Sequence, residues 1–252
     1  MNTKWLGKPL LYFKEIDSTN LEAARQAAAA GHGAVFAADR QTAGKGRRGR
    51  NWTSEDLGNL YMSMLLKPAF ASQKAPMLTL VAALAVCQAI ERTCHLKPQI
   101  KWPNDIVVEG RKVCGILTEM CLQGGAIGHV IIGIGININQ TSFQDLPFAS
   151  SLALAMGTRV DAKVVLEAVL EAFEPLYEEF CSRQSLESVI PDYEKRLVNL
   201  NQEIQVLDPK GAYQGVALGI NKEGELLVQR PDGRIEAVCA GEVSVRGLYG
   251  YV

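Results

Sequence analysis

The sequence predicts an α+β protein, with strands and helices mixed over residues 1–200 and a small all-β domain over residues 201–252. Three observations lead there. Apolar residues recur at helical spacing in two long segments, PMLTLVAALAVCQAIERT and DAKVVLEAVLEAFEPLYEEFCSRQ. Elsewhere they alternate at period 2, as Leu60, Met62, Met64 and Leu66 do in NLYMSMLLKP. Helical patterning then stops near Leu200, and only short strand-like runs follow.

The first punctuated element opens at Asp17-Ser18-Thr19-Asn20-Leu21-Glu22, where Thr19 and Glu22 have capping-box spacing. AARQAAAAG continues it as an alanine-rich helix closed by Gly31. VFAADRQT is strand-like, and the loop over residues 41–50 joins it to the alternating strand NLYMSMLLKP. PMLTLVAALAVCQAIERT is apolar around most of its circumference, which marks a buried helix. IKWPNDIVV and KVCGILTEM flank a turn at Glu109-Gly110-Arg111, and QGGAIG separates the second run from HVIIGIGININ, so a meander of three antiparallel strands is expected. A loop rich in Ser, Phe and Pro leads to the amphipathic DAKVVLEAVLEAFEPLYEEFCSRQ, with a kink expected at Pro175, and SLESVIPDYEKRLV reads as another helix. QEIQVLD, YQGVALGI, ELLVQR and RIEAVCAGEVSVRG, with turn signals at residues 221–224 and 231–233, predict a barrel of about five strands.

Composition narrows the function classes. At 252 residues, 48% hydrophobic and 21% charged, the chain has ordinary globular usage, which excludes a disordered or fibrous protein. Its 26 cationic residues are matched by 27 anionic ones, without the basic excess of a duplex-binding domain, so no DNA partner is expected. No apolar run of signal-peptide length opens the chain, and no segment holds the ~18 uninterrupted apolar residues of a membrane span. A cytoplasmic location without a membrane partner is the expectation. Cys87, Cys94, Cys114, Cys121, Cys181 and Cys239 contain no C-x-x-C pair and are joined by only three histidines, which favours free thiols over zinc or disulfides.

Five segments carry anomalous residue types. QTAGKGRRGR sets Lys45, Arg47, Arg48 and Arg50 among Gly44, Gly46 and Gly49, in a chain of net charge -1. Gly44 and Gly49 have P-loop spacing, but Arg50-Asn51 stands where that motif needs Lys and then Ser or Thr, and the loop runs into a strand and not a helix. Guanidinium forks and exposed backbone N–H groups still suit an anion, whereas a solvated hairpin tip is the plain alternative. Lys101-Trp102-Pro103-Asn104-Asp105 interrupts a strand with residues that strands disfavour, as a bulge or edge does, or because Asn104 and Asp105 face a ligand with Trp102 as an apolar wall. Lys112 and Gly115 in RKVCGILTEM, Gly133-Ile134-Gly135-Ile136-Asn137, and Gly241-Glu242-Val243-Ser244-Val245-Arg246 each have an ordinary structural reading when taken singly.

Taken in order, Asp17-Ser18-Thr19-Asn20, Gln41 with GKGRRGR and Trp52, KWPNDI, RKVCGIL, GIGININ and GEVSVR resemble the signature segments of the biotin protein ligases, across residues 17–246. The resemblance implies a class II aminoacyl-tRNA synthetase-like catalytic domain of mixed sheet and helices, with a C-terminal SH3-like barrel. It implies a two-step reaction. Biotin and ATP give biotinoyl-5′-AMP and pyrophosphate, and the biotinoyl group then passes to a lysine of a biotin carboxyl carrier protein belonging to a biotin-dependent carboxylase. On the biotin side it implies Ser18, Thr19, Asn20, Gln41, Lys45, Gly46, Arg47, Lys112 and Gly115. The family loop often has Arg where Lys45 stands, and lysine lacks the bidentate fork. On the ATP side it implies Arg47, Arg50, Trp52, Asn104, Asp105, Asn137 and Arg246, with Mg2+ as a cofactor that Asp105 could help place. Lys112 and Arg47 are the implied catalytic cations. Many relatives pair through sheet edges, so a homodimer is compatible. Only sixteen residues precede Asp17, where bifunctional members carry a winged helix-turn-helix, so a ligase without repressor function is expected. The competing readings are a lipoate or octanoate ligase, and a nucleic-acid clamp built on residues 44–50.

Overall fold

The computed structural model describes residues 1–52, 58–143, 146–208, 211–241, 244–247 and 251. Seven strands form a mixed sheet in the order β1-β2-β3-β7-β6-β5-β4. These are β1 (Leu10–Ile16), β2 (Val35–Gln41), β3 (Leu60–Leu66), β4 (Gln99–Lys101), β5 (Asp105–Val108), β6 (Arg111–Gln123) and β7 (Ala126–Ile136). Only β1 and β2 run parallel; the other pairs are antiparallel. Five more strands, β8 (Glu203–Leu207), β9 (Tyr213–Ile220), β10 (Leu226–Gln229), β11 (Ile235–Val238) and β12 (Ser244–Gly247), make a second, antiparallel sheet in the order β11-β10-β9-β8-β12.

The two faces of the large sheet have different work. Leu60, Met62, Met64 and Leu66 of β3 join Val130, Ile132, Ile134 and Ile136 of β7 in the main core, against α2 (Leu78–Cys94) and α4 (Ala162–Arg183). The opposite residues of β3, Tyr61, Ser63 and Leu65, are buried too. There Leu65 packs with Phe36 and with Ala23 and Ala27 of the α1 region (α1, Thr19–Gln26). The Ser72–Cys94 segment has the length and hydropathy of a membrane span, but most of it is buried within the fold.

Several expectations change in detail. Strand β1 was not read from the sequence; it is an edge strand whose Leu11 and Phe13 lean on the small α1 cluster. The N-cap of α1 is Ser18 and not Thr19, because the Thr19 N–H is taken by Gln41 of β2. The Glu22 carboxylate meets Arg25 and Gln26, so no capping box forms, and the helix ends at Gln26, short of Gly31. The expected three-strand meander has four strands, since Trp102-Pro103-Asn104 turns the chain between β4 and β5 and includes a cis Trp102–Pro103 peptide bond. The segment SLESVIPDYEKRLV forms only the short α5 (Ile190–Glu194), and α3 (Leu152–Met156) is an additional turn of helix. Helix α4 runs through Pro175 as one helix. In the tail, RIEAVCAGEVSVRG holds two strands, β11 and β12, and Glu242 and Val243 of GEVSVR lie outside the described residues.

One buried carboxylate fastens the N-terminal segment to α4. Glu174, 4% exposed, accepts the backbone N–H groups of Lys4, Trp5 and Leu6 at 2.7, 3.0 and 2.9 Å. Burial works against its charge, but the three donors outweigh it and hold the carboxyl below its ordinary range. Replacing Glu174 with Ala leaves those donors unpaired and is expected to lower the unfolding free energy by about 3 kcal/mol in urea titrations at pH 7. The Glu174 carboxyl ionises below its ordinary 4.5, so its stabilisation is present above about pH 4.5 and is lost as pH falls through the folded value.

Candidate active site

Two adjoining pockets open on the face of the large sheet opposite α2. The smaller, about 60 Å³, is floored by alternation: Ile134 and Ile136 of β7 point into the core, and Gly133 and Gly135 point into the pocket. Gly115 of β6 pairs with Gly135 and extends that floor. Each glycine makes room for a named side chain. A Cβ on Gly133 would lie 2.2 Å from Asn20 Oδ1, and on Gly115 and Gly135 it would lie 2.6 and 2.9 Å from the Trp52 indole.

The polar residues of the pocket wall are tied to one another and to Ser63 and Glu119 behind them. Thr19 donates both its backbone N–H and its hydroxyl to Gln41 Oε1, at 2.8 and 3.1 Å. Ser63 Oγ lies 2.7 Å from Thr19 Oγ1 and 2.5 Å from Asn20 Oδ1, and Asn20 Nδ2 donates to Glu119 at 2.7 Å. Ser18, Thr19, Asn20, Gln41, Lys45, Gly46, Arg47, Lys112 and Gly115, all expected on the biotin side, line this one pocket. Ser63 and Glu119 escaped the sequence reading. The signal for Ser63 was present, as the polar residue inside the otherwise apolar run Leu60–Leu66.

The second pocket, about 560 Å³, has a charged side and an aromatic side. Arg47, Arg48, Arg50, Lys101, Lys112 and Arg246 line it, against one carboxylate, Asp105. Trp102, Phe143, Leu146, Pro147, Phe148 and Tyr251 supply the apolar surface. The segment carrying Phe148 is held by main-chain bonds to Lys112, whose N–H donates to Phe148 O and whose carbonyl accepts from Ser150. Arg50, Asn104, Asp105, Asn137 and Arg246, which the resemblance puts on the ATP side, line this pocket together, while Trp52 stands on the wall shared by both. The Trp52 indole N–H is buried without a partner among the described residues. Tyr251, Phe143, Leu146, Pro147 and Phe148 carry no signal in the sequence, and Lys101 is marked there only as part of its anomalous segment. Trp102 does more than wall the pocket, since its indole N–H donates to Gly224 O in the turn between β9 and β10.

Where the pockets meet, the cations are held by named polar groups. Lys112 Nζ lies 2.6 Å from Asp105 Oδ1, which also accepts from Asn104 Nδ2 at 3.1 Å. Arg47 donates to Asn104 Oδ1 at 2.7 Å, to Gly241 O at 3.1 Å and to Ala240 O, so the glycine and arginine loop is pinned to the turn between β4 and β5 and to the segment that follows β11. Burial pushes the Arg47 guanidinium below its ordinary range, partly offset by Asp105. Lys101 is pushed down to about 8, first by burial and then by Lys112, Arg246 and Arg50, with Asp105 opposing. A resident metal does not fit this donor set. Among the described residues, Asp105 is the only carboxylate lining the pocket, both its oxygens are engaged, and no metal-binding group of three acidic, His or Cys residues occurs.

A polar cleft beside a cationic, aromatic-ended one suits a ligase that activates a carboxylate with a nucleotide. The sequence profile of the Biotin/lipoate A/B protein ligase family matches residues 11–137, half of the chain. This chain belongs to that family. The profile of the biotin protein ligase C terminal domain matches residues 200–246. Among relatives of the ligase, a bifunctional ligase/repressor BirA of Bacillus spizizenii is 38% identical over 97% of this chain and 76% of its own length. A biotin–[acetyl-CoA-carboxylase] ligase of Paracoccus denitrificans is 31% identical over 92% of this chain and 98% of its own. The solved biotin protein ligase of Aquifex aeolicus, in complex with biotin and ATP, is 33% identical with a TM-score of 0.83, covering 95% of this chain and 99% of that one.

The glycine floor of the ligase makes a stability prediction. Gly133→Ala must displace the Asn20 amide, and is expected to lower the unfolding free energy by about 1–3 kcal/mol. Gly31→Ala meets nothing within 4 Å and should stay within about 0.5 kcal/mol of the parent in the same urea titration.

Proposed function

We propose that the chain is an ATP-dependent biotin protein ligase that forms biotinoyl-5′-AMP and then biotinylates a lysine of a biotin carboxyl carrier domain. The observation that carries this reading is the sharing of Arg47, Trp52, Asn104 and Lys112 by the two pockets. A carboxylate held in the small pocket and a nucleotide in the large one would meet at those residues. The polar set Ser18, Thr19, Asn20 and Gln41 suits the donors and acceptors of a ureido ring, and the glycine floor leaves width for it.

The chemistry then follows from charge. In the first step a biotin carboxylate oxygen attacks the α-phosphorus of ATP and pyrophosphate leaves. Two anionic groups must approach, so Lys112 and Arg47 screen them and stabilise charge on the equatorial oxygens. Mg2+ enters as part of the ATP complex, in keeping with the engaged oxygens of Asp105. In the second step the lysine amine of the carrier attacks the acyl carbon, loses a proton, and AMP leaves. None of this requires a covalent enzyme nucleophile. Cys87 and Cys114 are buried, which pushes both thiols up and out of use.

In this reading residues 1–200 form a class II aminoacyl-tRNA synthetase-like catalytic unit. Residues 201–252 form an SH3-like barrel, supported by the five-strand order of the second sheet. A lipoate ligase is disfavoured by the C-terminal domain match, and a nucleic-acid clamp by the turning of Arg47 inward onto Asn104.

Biotin-dependent exchange of pyrophosphate into ATP tests the assignment; exchange driven by lipoate and not by biotin would overturn it. Within that assay, Lys112→Ala is expected to reduce adenylate formation by roughly 100- to 1000-fold while the far-ultraviolet circular dichroism spectrum is unchanged. Near-parental exchange would remove Lys112 from the chemistry.

A further inference from the structure

The C-terminal part of the chain reaches the junction of the two pockets at a second point besides the Arg47 contacts. Tyr251, four residues beyond β12, donates its hydroxyl to Asp105 Oδ2 at 2.5 Å. Its ring is itself held, stacked on Phe148 with centroids 5.7 Å apart and planes 18° apart, and with Lys101 Nζ 3.4 Å from its centre. The other oxygen of the same carboxylate is the one 2.6 Å from Lys112 Nζ.

We propose that Tyr251 is a positioning residue for adenylation: by holding Asp105, it fixes where Lys112 Nζ stands between the two pockets. The inference rests on the ligase reading above. A carboxylate bonded through one oxygen can still swing about its χ2 torsion, and a lysine on four rotatable bonds follows it. A bond to the second oxygen removes that swing. Bonds of this kind, with an ionised acceptor, are about twice as strong as neutral ones. The anchor is also well chosen, because the Tyr251 ring has two independent supports, Phe148 and Lys101, and its hydroxyl needs no side-chain motion to reach Asp105. Tyr251 touches neither reacting group in this account, so its effect passes through Asp105.

The test uses the full chain and single-turnover formation of biotinoyl-AMP, which stays measurable for slow variants. Tyr251→Phe keeps the stack and the contact with Lys101 and removes only the hydroxyl. The maximal rate is expected to fall roughly tenfold, with KM for biotin and the thermal midpoint unchanged. A role confined to stability would move the midpoint and leave the rate. In an Asp105→Ala background the same change should alter the rate by less than about twofold, since the pair acts as a unit. An unaltered rate in Tyr251→Phe, or an equal loss in both backgrounds, overturns the proposal and leaves the ligase reading standing. Failure of the parent chain to form biotinoyl-AMP overturns both.

Discussion

Everything in the site depends on the strict alternation of side chains across central strands that are covered on both faces. In β7 the isoleucines at 132, 134 and 136 belong to the core under α2 and α4, so residues 133 and 135 are committed to the other face. A one-residue slip would exchange isoleucine for glycine in the core and fill the pocket floor. The same register places Ser63 of β3 opposite Gly133, and so beneath Asn20. The packing that stabilises the sheet and the shape that receives a ligand are therefore set by one constraint.

From that floor the polar groups are layered. Thr19 and Asn20 are brought over it by the start of α1, and Gln41 reaches Thr19 from the end of β2. Ser18 has no side-chain cap bond in the helix it begins. Its hydroxyl is left for the pocket it lines, which trades a helix-capping interaction of about 1 kcal/mol for a polar group facing the ligand. The failure of the expected capping box and the formation of the site are one event.

What could be read from the sequence was what local pattern encodes. The period-2 run marked β3, apolar runs between turn signals marked β6 and β7, and residues ill-suited to strands, such as Gly133, Gly135, Asn104 and Asp105, marked the pocket side. The resemblance of six short segments assigned roles that no spacing rule supplies. What stayed hidden was set by distance along the chain. Glu119 meets Asn20 across 99 positions and Tyr251 meets Asp105 across 146. Strand β1 was missed for a related reason: as an edge strand it buries little, and its parallel partner lies beyond α1. The Trp102-Pro103-Asn104 turn reads from the sequence as an interruption of one strand, because the groups that hold Trp102 in place, Asn199 and Gly224, lie 97 and 122 positions away.

The local concentration of positive charge also has a physical account in a chain whose total is -1. Six cations around one pocket repel one another, and each must be held without being neutralised. The partners are suited to that. Arg47 is bonded to the Asn104 amide and to a main-chain carbonyl, and Lys101 lies on an aromatic face, so both are oriented without those contacts cancelling their charge. Lys112 shares a carboxylate, Asp105, which divides its two oxygens among Lys112, Asn104 and Tyr251. A polyphosphate entering such a pocket meets donors already oriented, in surroundings of low polarity where their field is strong. That orientation is made before the ligand arrives, by packing and hydrogen bonds that the reaction does not consume.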